Sequence, residues 1–307
     1  MTRALYWRRM QRDRVRCELC PFDCLIAPGR RGVCGVRENR SGVLETLVYG
    51  RMASWNVDPI EKKPLFHFFP GALSFSFSTV GCNFNCQHCQ NHAIAFAPKK
   101  GRPVRGEETR PEQIVDAAEA HGCRIIAYTY TEPTIFFEYA YDTARLAHER
   151  GMRNVFVTNG YIAEGPIRRI APYLDAANVD LKAFSDAYYK RECVGARHAP
   201  VLDALRLMKA LGVWVEVTTL VVPTWNDRRE ELERVARWIL EALGPGTPWH
   251  VTRFFPHYRR TDLPPTPLEA LALAREAGLD LGLRYVYNGN VPGGDWENTF
   301  CPGCGGA

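Results

Sequence analysis

Three cysteines, Cys82, Cys86 and Cys89, stand at C-x3-C-x2-C spacing in the stretch TVGCNFNCQHCQN. Thiolates are soft ligands. Three of them can hold three irons of a cubane cluster, and the missing fourth ligand leaves one iron open to a substrate. A ferredoxin would supply four. A second group, Cys17, Cys20, Cys24 and Cys34 at C-x2-C-x3-C-x9-C, does offer four soft ligands, enough for structural zinc or for a second iron-sulfur cluster. Cys301 and Cys304, in CPGCGG, look like one knuckle of a zinc ribbon; they either pair with the N-terminal cysteines or belong to an incomplete module. Cys123 and Cys193 stand alone and are expected to be small buried hydrophobes. Eleven cysteines grouped in this way within 307 residues point to metal binding rather than to a disulfide framework.

The elements that must position these thiols follow from hydrophobic patterning. Before residue 70 the chain reads as turns and short strands, with a hairpin expected around Ser41 and Gly42. Apolar runs of strand length then occur at 73–80, 124–129, 154–158, 177–181, 213–222, 249–255 and 283–287. Helical stretches lie between them: 111–121 with proline in its first turn, 133–150 ending at Gly151, one from Pro200 ending before Gly212, and 229–243 followed by Gly244. Strands alternating with helices imply a parallel sheet, and the number of units suits a partial (β/α)6-type barrel with its site at the carboxyl ends of the strands. The organisation expected is a cysteine-rich N-terminal metal module and connector at 1–70, the barrel at 71–290, and a tail with a Cys-x2-Cys knuckle at 291–307. Within the connector, the run DPIEKKPLFHFFPG reads as a packed lead into the first barrel strand.

Placed after the first barrel strand, the C-x3-C-x2-C loop resembles the radical SAM superfamily, whose signature is this spacing in this position. The CELCPFDC start, the VREN and VYGR segments and the DPIEKKPLFHFFPG run resemble, over almost the whole chain, the radical SAM component of the AmmeMemoRadiSam system. Within the barrel the chain is also similar to pyruvate formate-lyase activating enzymes. The resemblance implies a 4Fe-4S cluster on Cys82, Cys86 and Cys89, with S-adenosylmethionine (SAM) chelating the open iron. Reductive cleavage would then give a 5'-deoxyadenosyl radical that abstracts hydrogen from a substrate.

It also implies that His88, before the third cysteine, lies near the adenine. Thr131 and Glu132, in YTYTEPTIFFE, occupy the place of a Gly-Gly-Glu segment, whose glycines are absent here. Asn159 ends the third strand and offers both a donor and an acceptor. Asp180 and Lys182, in VDLKAF, match the activases' Asp-Leu-Lys segment and, two apart on a strand, point to one face. Glu216 and Thr218 are inward candidates on the fifth strand. His257, in FFPHYR, is displaced by one position from the activases' Leu-Pro-Tyr-His. No residue is assigned as a catalytic acid, base or nucleophile.

Composition narrows the setting. The hydrophobic fraction of 46% and charged fraction of 24% are those of a globular protein, and no apolar run approaches the ~20 residues of a membrane span. The basic start lacks the apolar core of a secretory signal, so a cytoplasmic protein is expected, without a membrane partner. The net charge of +5 gathers partly in Arg8, Arg9, Arg12, Arg14 and Arg16, which reads as a solvated face and leaves nucleic acid open as a partner. The expected partners are SAM, an electron donor such as flavodoxin or ferredoxin, and a substrate that is a protein, an RNA or a small molecule. A different class, a nonenzymatic iron-sulfur or zinc protein, would not need polar residues at successive strand ends.

Overall fold

The computed structural model describes residues 2–100 and 102–306; Met1, Gly101 and Ala307 lie outside the described residues. Its centre is a single eight-stranded sheet whose strands neighbour one another in chain order: β1 (Ser54–Pro59), β2 (Leu73–Ser78), β3 (Ile125–Tyr128), β4 (Arg153–Thr158), β5 (Ala176–Asp180), β6 (Trp214–Val221), β7 (Trp249–Arg253) and β8 (Val286–Gly289). Strands β2 to β8 are parallel, and β1 runs antiparallel to β2. The sheet order ends at β1 and β8, so the barrel is partial. Between the parallel strands lie α1 (His92–Ala95), α2 (Pro111–Ala120), α3 (Phe137–Glu149), α4 (Glu164–Ile170), α5 (Asp186–Arg191), α6 (Ala199–Ala210), α7 (Arg229–Leu243) and α8 (Leu268–Asp280). Six strand-helix units followed by a seventh parallel strand match the expected fold class. No helix among the described residues is long and apolar enough to cross a membrane.

Alternation along the strands builds two cores. One set of side chains, including Ile126, Tyr128, Phe156, Ala177, Val179, Val215, Val217 and Val251, packs in the main core with the apolar stripes of the helices. In α7 that stripe is Leu232, Val235, Ala236, Ile239 and Leu243, and Gly244 at φ +89° turns the chain out of the helix. The other set, Ile125, Ala127, Val155 and Ala176, forms a second, smaller core with Ile60 and Leu65.

Ile60 and Leu65 come from the segment DPIEKKPLFHFFPG. Its first part completes β1, and residues 60–68 then pass into the barrel as a plug, with Phe68 packed against the smaller core. The Glu216 carboxylate, fully buried on β6, accepts hydrogen bonds from the backbone N–H groups of Phe66 and His67 at 3.0 and 2.9 Å, from Trp214 Nε1 at 3.0 Å, and pairs with His250 Nε2 at 2.7 Å. Asn178 on β5 donates to the Pro64 carbonyl at 2.7 Å and accepts from Thr218 at 2.9 Å. His67 Nε2 meets Tyr287 Oη at 2.6 Å, and Tyr287 Oη lies 2.8 Å from Thr299 in the C-terminal tail.

The N-terminal unit consists of two small antiparallel sheets, Thr2–Arg3 with Val43–Thr46 and Arg37–Arg40, and Trp7–Arg9 with Val15–Cys17 and Leu25–Ile26. The expected hairpin is present: Ser41 and Gly42 both have positive φ, the conformation that a tight two-residue turn between twisted strands requires. The unit is tied to the barrel by a buried ion pair between Arg37 and Glu138 of α3, whose carboxylate also accepts from the Leu5 N–H at 2.7 Å. Several of the clustered arginines are paired at the surface, Arg8 with Glu18, Arg9 with Asp13 and Arg16 with Asp23.

Glu216→Ala leaves four donors without their acceptor and should destabilise the protein by about 3 kcal/mol, read as a lower urea midpoint. Burial pushes the Glu216 carboxyl up, but His250, Trp214 and the plug amides outweigh it and hold the group below its ordinary value. The folded-state value therefore lies below the unfolded one. This stabilisation is present above about pH 4.5 and is lost as the pH falls through the folded value, so acid should narrow the difference between Glu216→Ala and wild type.

Candidate active site at the carboxyl ends of the barrel strands

The loop after β2 turns at Gly81, whose φ of +107° and closeness to Val36, 2.7 Å from an ideal Cβ, leave no room for a side chain. Backbone groups of the loop are then matched to the loop before α6 and to the loop after β7: Asn85 N–H donates to the Cys193 carbonyl (3.3 Å), Gln87 N–H to the Glu192 carbonyl (2.9 Å), and Arg259 N–H to the Gln87 carbonyl (3.0 Å). Asn83 donates to the Tyr161 carbonyl at 2.9 Å and accepts from Asn159 at 2.8 Å. Phe84 packs on Tyr161 with ring centroids 5.1 Å apart. The loop is thereby fixed by partners from three neighbouring segments.

The three thiols of this loop open onto a cavity of about 380 Å³, within the ~300–1,000 Å³ usual for small-molecule sites. Cys82, Cys86, Cys89, His88, Thr131, Glu132, Asn159, Asp180 and Lys182 all line it, so these strand-end candidates arrive at one place. Thr218 lines it as well, whereas Glu216 sits below, bound to the plug. His257 does not line it; its ring lies 5.2 Å from that of His92. Cys17, Cys20, Cys24 and Cys34 lie outside the cavity, and Cys301 and Cys304 are exposed on the tail. No disulfide is formed, and among the described residues no three Cys, His, Asp or Glu side chains are already grouped as an ion-binding set.

Glu132 is the hub of the strand ends. Buried, it accepts from Thr134 N–H (3.0 Å) and Oγ1 (2.6 Å), from Thr158 Oγ1 (2.7 Å) and from Asn159 N–H (2.8 Å). Burial nevertheless pushes its carboxyl above the ordinary range. Thr131 donates to the Thr79 carbonyl at 2.9 Å. Lys182 Nζ donates to Asp180 at 2.8 Å, and although burial opposes its charge, Asp180 and the neighbouring thiols hold it protonated.

The thiols are not equivalent. Burial pushes the Cys82 and Cys89 thiols up, Cys89 to about 12, whereas a hydrogen bond from the Cys193 thiol brings Cys86 down to about 6. Cys193 is buried as expected, but it is a polar neighbour of Cys86 as well as a small hydrophobe. Sequence reasoning also missed Lys62 and Lys63, which reach the cavity from the plug. Lys63 is held by Asp58 (2.8 Å), and the Tyr130 hydroxyl donates to the same carboxylate (3.0 Å). The charged pair in EKK was the available signal, set in a segment read as a connector.

His88 is buried at the cavity wall, its ring near Tyr188 and Phe254, and its Nδ1 stands 3.9 Å from Glu192, beyond hydrogen-bond reach. Glu192 itself is gripped by Arg260. The donor set of three soft thiols, a cation, carboxylates and planar rings around one cavity suits an iron-sulfur cluster with a zwitterionic, purine-bearing ligand.

Comparison with known proteins agrees. The profile described as the Radical SAM superfamily matches residues 76–239. An uncharacterized protein of Methanocaldococcus jannaschii is 47% identical over 305 residues, 99% of this chain and 90% of its own length. The pyruvate formate-lyase-activating enzyme of Clostridium pasteurianum is 25% identical over 167 residues, 52% of this chain and 66% of the relative. Among solved structures, Streptococcus suis SuiB bound to S-adenosylmethionine shares the fold with a TM-score of 0.55 at 14% identity, over 76% of this chain and about half (53%) of SuiB. With the matched profile covering more than half of the chain, from β2 and the three-cysteine loop through β6 and most of α7, this protein belongs to the radical SAM superfamily.

Proposed function

We propose that Cys82, Cys86 and Cys89 hold a 4Fe-4S cluster, that SAM lies beside it in the cavity these thiols line, and that hydrogen is taken from a substrate entering the same mouth. The observation that carries this reading is the convergence of the three thiols with Thr131, Asn159, Asp180 and Lys182, from four different loops or strand ends, on one cavity. When bound, cluster and SAM together supply one-electron cleavage to a 5'-deoxyadenosyl radical, chemistry that belongs to the cofactors.

The chain's own work is to place them and keep water out. Lys182 presents a fixed ammonium to a carboxylate, and Asp180 presents an acceptor to an amine, which are the two charged groups of an amino acid. His88 offers a planar face in the cavity wall. Glu132 and Asn159 act as positioning residues, since their polar atoms are taken up by Thr134, Thr158, Asn83 and Tyr161.

The similarity to the Clostridium activating enzyme within the barrel supports an activase-like reaction, with hydrogen taken from a glycine of a partner protein and the electron supplied by flavodoxin or ferredoxin. The resemblance of the N-terminal segments supports a place in the AmmeMemoRadiSam system. The four N-terminal cysteines supply the ligands of a second metal. No helix among the described residues could cross a membrane, in keeping with a cytoplasmic enzyme.

Reconstituted anaerobically, reduced and given SAM, the wild-type protein should release 5'-deoxyadenosine, measured by chromatography, and Cys86→Ala should abolish it. An intact wild-type cluster without that product would overturn the reading. Glu132→Ala should weaken SAM binding about tenfold in equilibrium dialysis of the reconstituted protein, as loss of an indirect brace does at other metal sites. Unchanged affinity would remove Glu132 from the positioning role.

A further inference from the structure

Four thiols of the N-terminal unit take no part in the barrel site. Cys17 ends the strand Val15–Cys17, Cys20 and Cys24 lie in the turn that leads to Leu25–Ile26, and Cys34 precedes the strand Arg37–Arg40. Cys17 and Cys34 are buried, and all four are unbridged.

The electrostatics of their surroundings point to an anionic centre. Arg37 is 1% exposed, donates from Nη1 to the Cys17 sulfur at 3.5 Å, and has a buried Nε with no hydrogen-bond partner among the described residues. A cation is buried at such cost only where negative charge meets it, and Glu138 accounts for one side of this guanidinium. Four thiolates around a metal would supply the charge on the other side. The spacing adds a second argument: C-x2-C-x3-C gathers three ligands on one short loop, as cluster-binding runs do, whereas structural zinc sites draw their ligands from separated pairs.

The place of these thiols in the fold is equally informative. The Cys34 carbonyl lies 3.3 Å from where a Cβ on Gly81 would stand, and Gly81 directly precedes Cys82. Phe22, between Cys20 and Cys24, packs edge-on to Phe84, between Cys82 and Cys86, with centroids 6.4 Å apart. Lys99 donates to the Phe84 carbonyl at 2.5 Å and acts electrostatically on both Cys34 and Cys82. The two cysteine loops are therefore packed against one another.

We infer that Cys17, Cys20, Cys24 and Cys34 hold a second iron-sulfur centre that passes single electrons to the cluster assigned to Cys82, Cys86 and Cys89. The relay role rests on that assignment. A low-potential carrier of the flavodoxin or ferredoxin class gives up one electron to the N-terminal centre. The centre is reduced by one electron and reoxidised as it reduces the barrel cluster, with no bond made or broken at the relay.

The test uses the full chain, reconstituted anaerobically with iron and sulfide, as wild type, as the triple variant Cys82→Ala/Cys86→Ala/Cys89→Ala and as the double variant Cys20→Ala/Cys24→Ala. The triple variant should keep about four irons per chain and show an electron paramagnetic resonance signal on reduction. Zinc in their place, or no metal, overturns the second centre. That readout requires no SAM cleavage, so it stands apart from failure of the barrel reading, and it decides the matter even if the double variant does not fold. A folded double variant should cleave SAM at the wild-type rate when dithionite reduces the barrel cluster directly, and at least tenfold more slowly with reduced flavodoxin. An equal loss with both reductants, or no loss with either, overturns the relay.

Discussion

A parallel sheet that curls without closing must be filled at one end and left open at the other, and the Glu216 carboxylate is where this protein meets that requirement. Seven parallel strands around an interior leave inward-facing side chains that need partners, and small ones such as Ala127 and Ala176 cannot reach across it. The chain answers with its own residues 60–68. A length of backbone brought into an apolar interior carries N–H and C=O groups that must be paired, so the strands supply fixed acceptors and donors: Glu216 for Phe66 and His67, and Asn178 for Pro64. The plug seals the lower barrel, and its lysines reach the cavity above.

The open end obeys the opposite rule. Space is kept there because the loops are bound to one another rather than to the interior. Glu132 joins the end of β3 to the end of β4, Asn159 passes that restraint to Asn83, and Asn83 lies between the first two cysteines of the β2 loop. A thiol loop braced through side-chain amides and backbone pairing is ordered before any cofactor arrives, which lowers the entropic cost of binding. This explains why residues expected to touch SAM, Glu132 and Asn159 among them, have their polar atoms largely engaged by the scaffold.

The strands, helices and strand-end positions were legible because each depends on local pattern. Apolar runs marked all seven parallel strands to within a few residues, and glycines marked the ends of α3, α6 and α7, whereas the short α1, α4 and α5 were not read as helices. The plug was not legible. LFHFF has neither helical nor strand periodicity, and its role is fixed by partners 149 to 220 residues away, Glu216 above all. Cys193 was read as a small hydrophobe because burial is what a lone cysteine usually signifies, and nothing in the chain near it announces Cys86. The bonds of Glu132 to Thr134 and Thr158 were not legible, since a strand-end carboxylate looks the same in sequence whether it faces a ligand or neighbouring threonines.

Arg37 connects these levels. Its guanidinium lies between the Glu138 carboxylate of the barrel's α3 and the sulfur of Cys17. An ion pair buried to this depth contributes little net stability by itself, because desolvation offsets most of the attraction. What it does impose is a geometry: Glu138 must face the N-terminal unit, and Arg37 must face both. Leu5 is bound on both its N–H and its carbonyl by the same pair, so the first strands of the unit are drawn onto α3. With that docking fixed, Cys34 is carried to Gly81 and Phe22 to Phe84. A buried charge that adds little to stability thus determines which two cysteine loops are adjacent, and adjacency is the property that single-electron transfer between them would need.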